Sequence, residues 1–210
     1  MLNQGYFLGL NDLSDNNIKL VKQRLSHNRN ILFINRSDAL ESKKWNHIMW
    51  DGILILGPLY HLISKKKRLE VLNLAFRHLK PGGIVFSSFM TRSGALIYGL
   101  KHNPEGVRYP DGAKKLWETG SDERFVEDTE WFTNAYFVHP EEANSLVEQA
   151  GLEPLHLAGV EGIFGERFEL YHDLDEDLQK AWMEFIIQHC EDPNMVCLSK
   201  HLLSISRKPE

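Results

Sequence analysis

Cysteine is scarce in this chain. Only Cys190 and Cys197 occur in 210 residues. Their spacing suits neither a metal-ligand set nor a disulfide framework. A reducing, cytoplasmic setting follows as the expectation. No apolar run approaches the roughly 20 residues needed to cross a bilayer, and no basic stretch followed by an apolar core opens the chain. An excess of basic charge is also missing. The 24 Lys and Arg stand against 29 Asp and Glu, for a formal net charge of −5. That balance argues against a nucleic-acid partner. Lys65-Lys66-Lys67-Arg68 is the one dense basic run. It opens an apolar-periodic segment and reads as the solvated first turn of a helix. What remains is ordinary globular usage, 42% apolar and 25% charged, in a length that fits one domain with a sizeable core.

Short apolar runs alternate with helical stripes along residues 1–90. Tyr6-Phe7-Leu8-Gly9-Leu10 reads as a strand. Ser14 then caps a helix whose buried side is Ile18, Val21 and Leu25. Ile31-Leu32-Phe33-Ile34 and Ile53-Leu54-Ile55-Leu56 are apolar throughout, as strands are when helices cover both faces of a sheet. Leu69, Leu72, Phe76 and Leu79 form a helical stripe, ended by Lys80-Pro81-Gly82-Gly83 ahead of a strand at Ile84-Val85-Phe86. The alternation predicts an α/β fold with a doubly wound, mostly parallel sheet.

Residues 91–135 break this rhythm. Scattered glycines and aromatics, among them Trp117, Phe125, Trp131 and Phe132, read as an insertion or lid within a single domain spanning 1–210. Pro140 then opens a helix, with Glu141 and Glu142 in its first turn and Gly151 as its stop. A strand at Leu155–Val160, an amphipathic helix through Leu178, Trp182 and Phe185, and a strand at Leu198–Ser206 complete the chain.

Four stretches together resemble the class I S-adenosylmethionine-dependent methyltransferases, particularly those acting on small molecules. They are Asp51–Leu62, Arg77–Gly83, His139–Leu152 and Ser199–Lys208. The resemblance implies a Rossmann-like fold, S-adenosylmethionine as cofactor and a small-molecule methyl acceptor. Gly9–Ser14 resembles the end of the family's second strand, where an acidic residue meets the cofactor ribose. Asp12 is the choice there and Asn11 its rival. Ser37-Asp38-Ala39 resembles the turn after the third strand, where an Asp contacts the adenine amine. Gly57, Pro58 and Leu59 resemble the loop beside the cofactor, followed by Tyr60 and His61 as candidate catalytic residues.

One familiar part is missing. The family's glycine-rich loop and first strand precede its ribose-binding acid, yet only eleven residues precede Asp12 here, and they hold no Gly-x-Gly. Gly159, Gly162 and Gly165 have the wrong spacing and follow a late strand. The expectation is a fold lacking the first strand and helix, by truncation or degeneration. An unfilled central slot would leave pairing edges, so self-association is expected with it. A nicotinamide-dependent oxidoreductase is disfavoured, since no Gly-x-Gly-x-x-Gly follows a strand.

In an open α/β sheet, ligands lie beyond the carboxyl ends of the strands. Asp12, Asp38 and Gly57–His61 all fall at such ends, and the resemblance has them converge on one crevice. Carboxylates suit ribose and adenine because they are rich in acceptors, although Asp is also common where strands turn. Tyr60 would present a ring face to a cation or hold the acceptor, and His61 would take a proton. Both also read as residues that shape the loop, and for His61 that reading comes first. Two functions stay open: a methyltransferase, or an inactive methyltransferase-like protein that binds a ligand or partner.

Overall fold

Residues 1–41, 48–123 and 134–210 are described in a computed structural model of the chain. They fall into two units, Met1–Ile48 and Met49–Glu210.

The first unit is a strand, a helix and a strand. β1 (Leu8–Asp12) starts two residues later than the apolar run, leaving Tyr6 and Phe7 exposed. α1 (Asp15–Leu25) begins at Ser14 as expected, whose hydroxyl accepts the Asn17 N–H at 3.3 Å. β2 (Ile31–Arg36) pairs with β1 in parallel, Asp12 lying opposite Arg36. A side chain at Gly9 would run into the Phe33 ring, so glycine lets that ring cross β1. The unit's own core is thin. Among its described residues only Ile18 and Ser37 are buried.

The second unit begins with β3 (Trp50–Ile55), whose alternation buries Ile53 and Ile55 and exposes Leu54. Pro58 opens a single turn, α2 (Pro58–His61), its missing N–H costing nothing at a first helical position. α3 (Lys65–His78) leads directly into β4 (Leu79–Met90). The Lys-Pro-Gly-Gly turn is absorbed into the start of β4 as an irregularity. Trp50 pairs with Leu79 but Gly52 with Ile84, and Gly82 takes the slack at φ +72°.

After β4 come α4 (Arg92–His102), α5 (Ala113–Thr119), and a minimal antiparallel pair, β5 (Ser121–Asp122) with β6 (Ala135–Tyr136). α6 (Pro140–Gln149) has Pro140 at its first position, and Gly151 at φ +81° follows its end. β7 (Glu153–Gly159) is followed by α7 (Phe168–His172), α8 (Glu176–His189), the short α9 (Pro193–Leu198) and β8 (His201–Arg207).

The main sheet has the order β3-β4-β8-β7. β3 and β4 are parallel, and β8 runs antiparallel to both β4 and β7. β8 therefore starts where β4 ends, with His201 opposite Met90. Leu59, Leu72, Ala75, Leu79, Val85, Val147 and Leu202 have no exposed surface and form the core of the unit. This is the α/β, Rossmann-like architecture expected from the sequence, with parallel strands and one reversed strand at the end.

α4 packs tightly on the start of β8. Thr91 caps the helix, its hydroxyl accepting the Gly94 N–H at 2.9 Å and donating to the Ser199 carbonyl at 2.7 Å. A Cβ at Gly94 would lie 2.5 Å from the Lys200 Cα. Alanine is the better helix former by about 1 kcal/mol, but overpacking against backbone costs about 1–3 kcal/mol. Gly94→Ala is therefore expected to lower stability in chemical denaturation; a variant more stable than the parent would show that this contact yields freely.

Candidate active site

In the first unit, Asp12 and Asp38 sit at the carboxyl ends of neighbouring parallel strands. The Ser37 N–H donates to the Asp12 carbonyl at 3.2 Å, tying the two ends together. Asp12 takes the Ser14 N–H on Oδ1 at 2.7 Å and the Asn17 amide on Oδ2 at 3.0 Å. Asp38 takes the Leu40 N–H at 2.9 Å. Both carboxylates thus shape their turns, yet each offers about four lone-pair positions and keeps acceptor capacity. Asn11, the rival to Asp12, has its amide committed to Ser37: Nδ2 donates to the Ser37 carbonyl at 3.1 Å and Oδ1 accepts the Ser37 hydroxyl. Ala39 is half-buried in the same turn.

In the second unit, Gly57–His61 follows the carboxyl end of β3. Leu59 is fully buried, so contact with a ligand from that position would come from its backbone. Gly57 and Pro58 are half-buried or more exposed, at the start of the turn. Tyr60 packs against a small core of Met90, Leu116, Ala135 and Phe137, and that burial raises its phenol pKa. Its ring centroid stands 4.7 Å from that of His61, which is exposed. Trp117 is 48% exposed rather than closing a pocket, while Phe125, Trp131 and Phe132 lie outside the described residues.

Two residues that carried no role in the sequence join this loop. The His201 ring is 6.4 Å from Tyr60, edge to face. Its Nδ1 bonds the Glu161 carboxylate through Oε1, while its backbone N–H donates to Oε2 of the same group at 2.9 Å. Burial pushes the Glu161 carboxyl up in pKa. The bonds from the His201 ring and backbone outweigh that push, and the group ionises below its ordinary value of 4.5. Forty residues separate the pair, so no local motif announces it. Only the topology does, by starting a reversed strand at the carboxyl edge of β4.

The segment carrying His201 is fixed from several sides. Thr91 binds the carbonyls of Ser199 and Lys200, the latter through its N–H at 2.9 Å. The Ser199 hydroxyl accepts the Gly162 N–H and donates to the Met195 carbonyl. The Val160 N–H closes on the His201 carbonyl at 3.0 Å.

The basic run needs a correction at its last residue. Lys65, Lys66 and Lys67 are exposed, but Arg68 is only 3% exposed. It shares the inward stripe of α3 with Val71, Leu72 and Ala75. Its guanidinium lies 3.5 Å over the Tyr136 ring and donates to the carbonyls of Leu62 and Ile63 at 2.6 and 2.7 Å. Tyr136 donates to Glu142, whose two oxygens also accept from Nη2 of the buried Arg92 at 3.1 and 3.0 Å. Arg92 extends to the carbonyls of Trp117, Glu118 and Phe137. These residues tie the α4–α5 segment to α6.

No protein-family model matches the chain, and no curated protein matches it in sequence. Solved structures do match. A S-adenosylmethionine-dependent methyltransferase from Methanosarcina mazei superposes with a TM-score of 0.59 at 15% identity, covering 99% of this chain and 84% of that one. The N-methyltransferase NodS from Bradyrhizobium japonicum, in complex with S-adenosylhomocysteine, gives 0.53 at 13% identity, covering 97% and 67%. The [4+2]-cyclase SpnF gives 0.52 at 15%, covering 97% and 67%. The resemblance read from the sequence therefore holds at the level of fold.

The Glu161–His201 bond has a pH signature. A carboxyl with a lowered folded pKa binds fewer protons when folded than when unfolded, so its contribution is complete above the ordinary carboxylate range. It is lost as pH falls through the lowered value. Denaturation of the parent and Glu161→Gln from about pH 7 to about pH 3 should show the parent's advantage shrinking in acid. A gap that is constant across that range would refute it.

Proposed function

We propose that this chain transfers a methyl group from S-adenosylmethionine to a small-molecule acceptor. The observation that carries this reading is the pair of carboxylates, Asp12 and Asp38, at adjacent strand ends in a chain with a methyltransferase fold. Their remaining acceptor positions fit the hydroxyls of a ribose and the amine of an adenine. When bound, the cofactor would supply an electrophilic methyl group on a positively charged sulfur.

The chain's own residues then have separable tasks. Asp12 accepts from the ribose diol, and Asp38 with Ala39 holds the adenine. In the second unit, the backbone of Gly57, Pro58 and Leu59 would offer uncharged contacts to the cofactor. Tyr60, kept neutral by burial, offers its ring face toward positive charge. His61 stands at the exposed end of the same turn, as a proton acceptor or as a residue that holds the loop. The segment carrying α4 and α5 would cover the acceptor and exclude water, and positioning of this kind can supply much of the rate. The two free cysteines support a reducing, cytoplasmic setting. No helix among the described residues is long and apolar enough to cross a membrane.

A fold shared with a [4+2]-cyclase does not by itself establish methyl transfer, so binding and transfer are tested separately. Calorimetry should show S-adenosylhomocysteine binding, weakened about tenfold or more by Asp12→Ala, equivalent to about 1.4 kcal/mol. Methyl-labelled S-adenosylmethionine should then label components of a small-molecule cell extract. Absence of heat at about millimolar ligand, roughly the 4 kcal/mol level, would remove the reading. Self-association is part of the same proposal. β3 pairs only with β4 among the described residues, and Leu54 and Leu56 beside its edge are 47% and 56% exposed. Sedimentation should show a concentration-dependent dimer that Leu54→Lys weakens; a monomer at every concentration would dismiss it.

A further inference from the structure

The geometry points to Glu161 and His201 as a proton-accepting dyad, in which His201 Nε2 takes the proton that a hydroxyl or amine acceptor loses as it is methylated. This deepens the methyltransferase reading and rests on it.

Position comes first. His201 is the first residue of β8 and lies opposite Met90, the last residue of β4. That is the carboxyl edge of the parallel strands, where ligands of this architecture gather. Its ring faces Tyr60, on the turn that follows β3.

Orientation comes second. The Glu161 carboxylate holds Nδ1 on one oxygen and the His201 main chain on the other. An imidazole whose Nδ1–H is given to a carboxylate has Nε2 as its acceptor nitrogen. Among the described residues nothing bonds Nε2, and the side chain is 33% exposed. Glu161 is better covered, at 19% exposure. A purely structural carboxylate would need only the backbone bond; this one also fixes the tautomer.

The surroundings suit the task. Among the described residues, the titratable groups facing the ring are Glu161, from the loop after β7, and Tyr60, from α2, with His61 tilted against Tyr60. Tyr60 brings no charge, since a phenol is neutral near pH 7 and burial raises its pKa further. The Lys200 ammonium next in sequence is turned to the Tyr98 ring, at 4.7 Å. Among the described residues Glu161 is the carboxylate bonded to the ring, and a negative charge there suits a ring that takes up a proton.

The step balances. The lone pair of the acceptor's oxygen or nitrogen forms the bond to the methyl carbon. The carbon–sulfur bond breaks with its electron pair staying on sulfur, and the acceptor's proton passes to Nε2. The chemical class of acceptor follows: a small molecule with an ionisable O–H or N–H, rather than a thioether or a tertiary amine, which has no proton to lose.

Glu161 acts through His201 and is a positioning residue, so the test reads both. The full chain and its His201→Gln and Glu161→Gln variants would be compared. The amide introduced by Glu161→Gln can still accept the His201 backbone N–H, which preserves the strand start. In the NMR spectrum the proton on His201 Nδ1 should stand far downfield in the parent, as an N–H given to a carboxylate does, and move upfield in Glu161→Gln. S-adenosylhomocysteine affinity should stay within about twofold in both variants. Labelled methyl transfer to the extract should fall about 100-fold or more in His201→Gln. In Glu161→Gln labelled transfer should fall about tenfold or more in kcat while the acceptor's KM stays within about twofold. Full transfer by His201→Gln, or a His201 Nδ1 proton resonance unmoved by Glu161→Gln, overturns the dyad and leaves the methyltransferase reading standing. A parent chain that labels nothing overturns the dyad's role, and failure to bind S-adenosylhomocysteine removes the wider reading as well.

Discussion

The start of β8 is the constraint on which the second unit depends. Three consecutive residues, Ser199, Lys200 and His201, are bonded from β4, from the end of β7 and from the loop beyond it. An antiparallel strand placed between β4 and β7 must meet its neighbours on both sides at once. The register is settled here because Thr91 binds two successive carbonyls while Val160 and Glu161 bind His201. Buried backbone groups left unpaired are costly, so these bonds also fix where α4 begins and where the β7–α7 loop turns. The His201 ring is aimed by the same bonds that close the sheet.

A second constraint is charge. Arg68 and Arg92 are both buried, and Glu142 lies between Arg92 and the Tyr136 hydroxyl. A buried cation is tolerated only with partners, and here one carboxylate serves two cations. Arg68 makes up the shortfall with two carbonyls and an aromatic face, a cation–π contact worth about 1–2 kcal/mol when partly desolvated. Burial lowers the pKa of Arg68 and raises that of Tyr136, the directions expected when both charged forms lose water. This network joins α3, α6 and the segment after β4, so the region around Tyr60 is built on polar as well as apolar contacts.

Local order is legible in the sequence wherever one residue's chemistry decides it. Ser14 as a cap, Pro140 as a first helical residue and Gly151 as a stop act within a turn of their own positions. The apolar runs locate β2 and β3 within a few residues. Legibility fails where the decisive partner is remote. Arg68 looks like the end of a solvated run because three lysines precede it, whereas the 3.6-residue period turns it inward beside Leu72. Glu161 and His201 are forty residues apart and meet only because β7 and β8 are paired. Lys80-Pro81-Gly82-Gly83 has the composition of a turn, and the backbone runs through it as an irregular strand start, since Lys208, just past β8, exchanges backbone bonds with Gly82 and Gly83.

The same distinction separates what a fold provides from what a site does. Parallel strands bring their carboxyl ends to one edge whatever the side chains are, and this is why structures at 13–15% identity superpose. Chemistry needs an asymmetric element at that edge. β8 supplies one, because a reversed strand begins where its neighbours end. Its first side chain projects from a rigid ladder rather than from a loop, and a histidine there can be steered by a carboxylate on the adjoining connection. A base held this way loses little freedom on meeting its substrate, whereas His61, on a single exposed turn, has more to lose. Of the two histidines, the one proposed as the base is the one that the sheet itself holds in place.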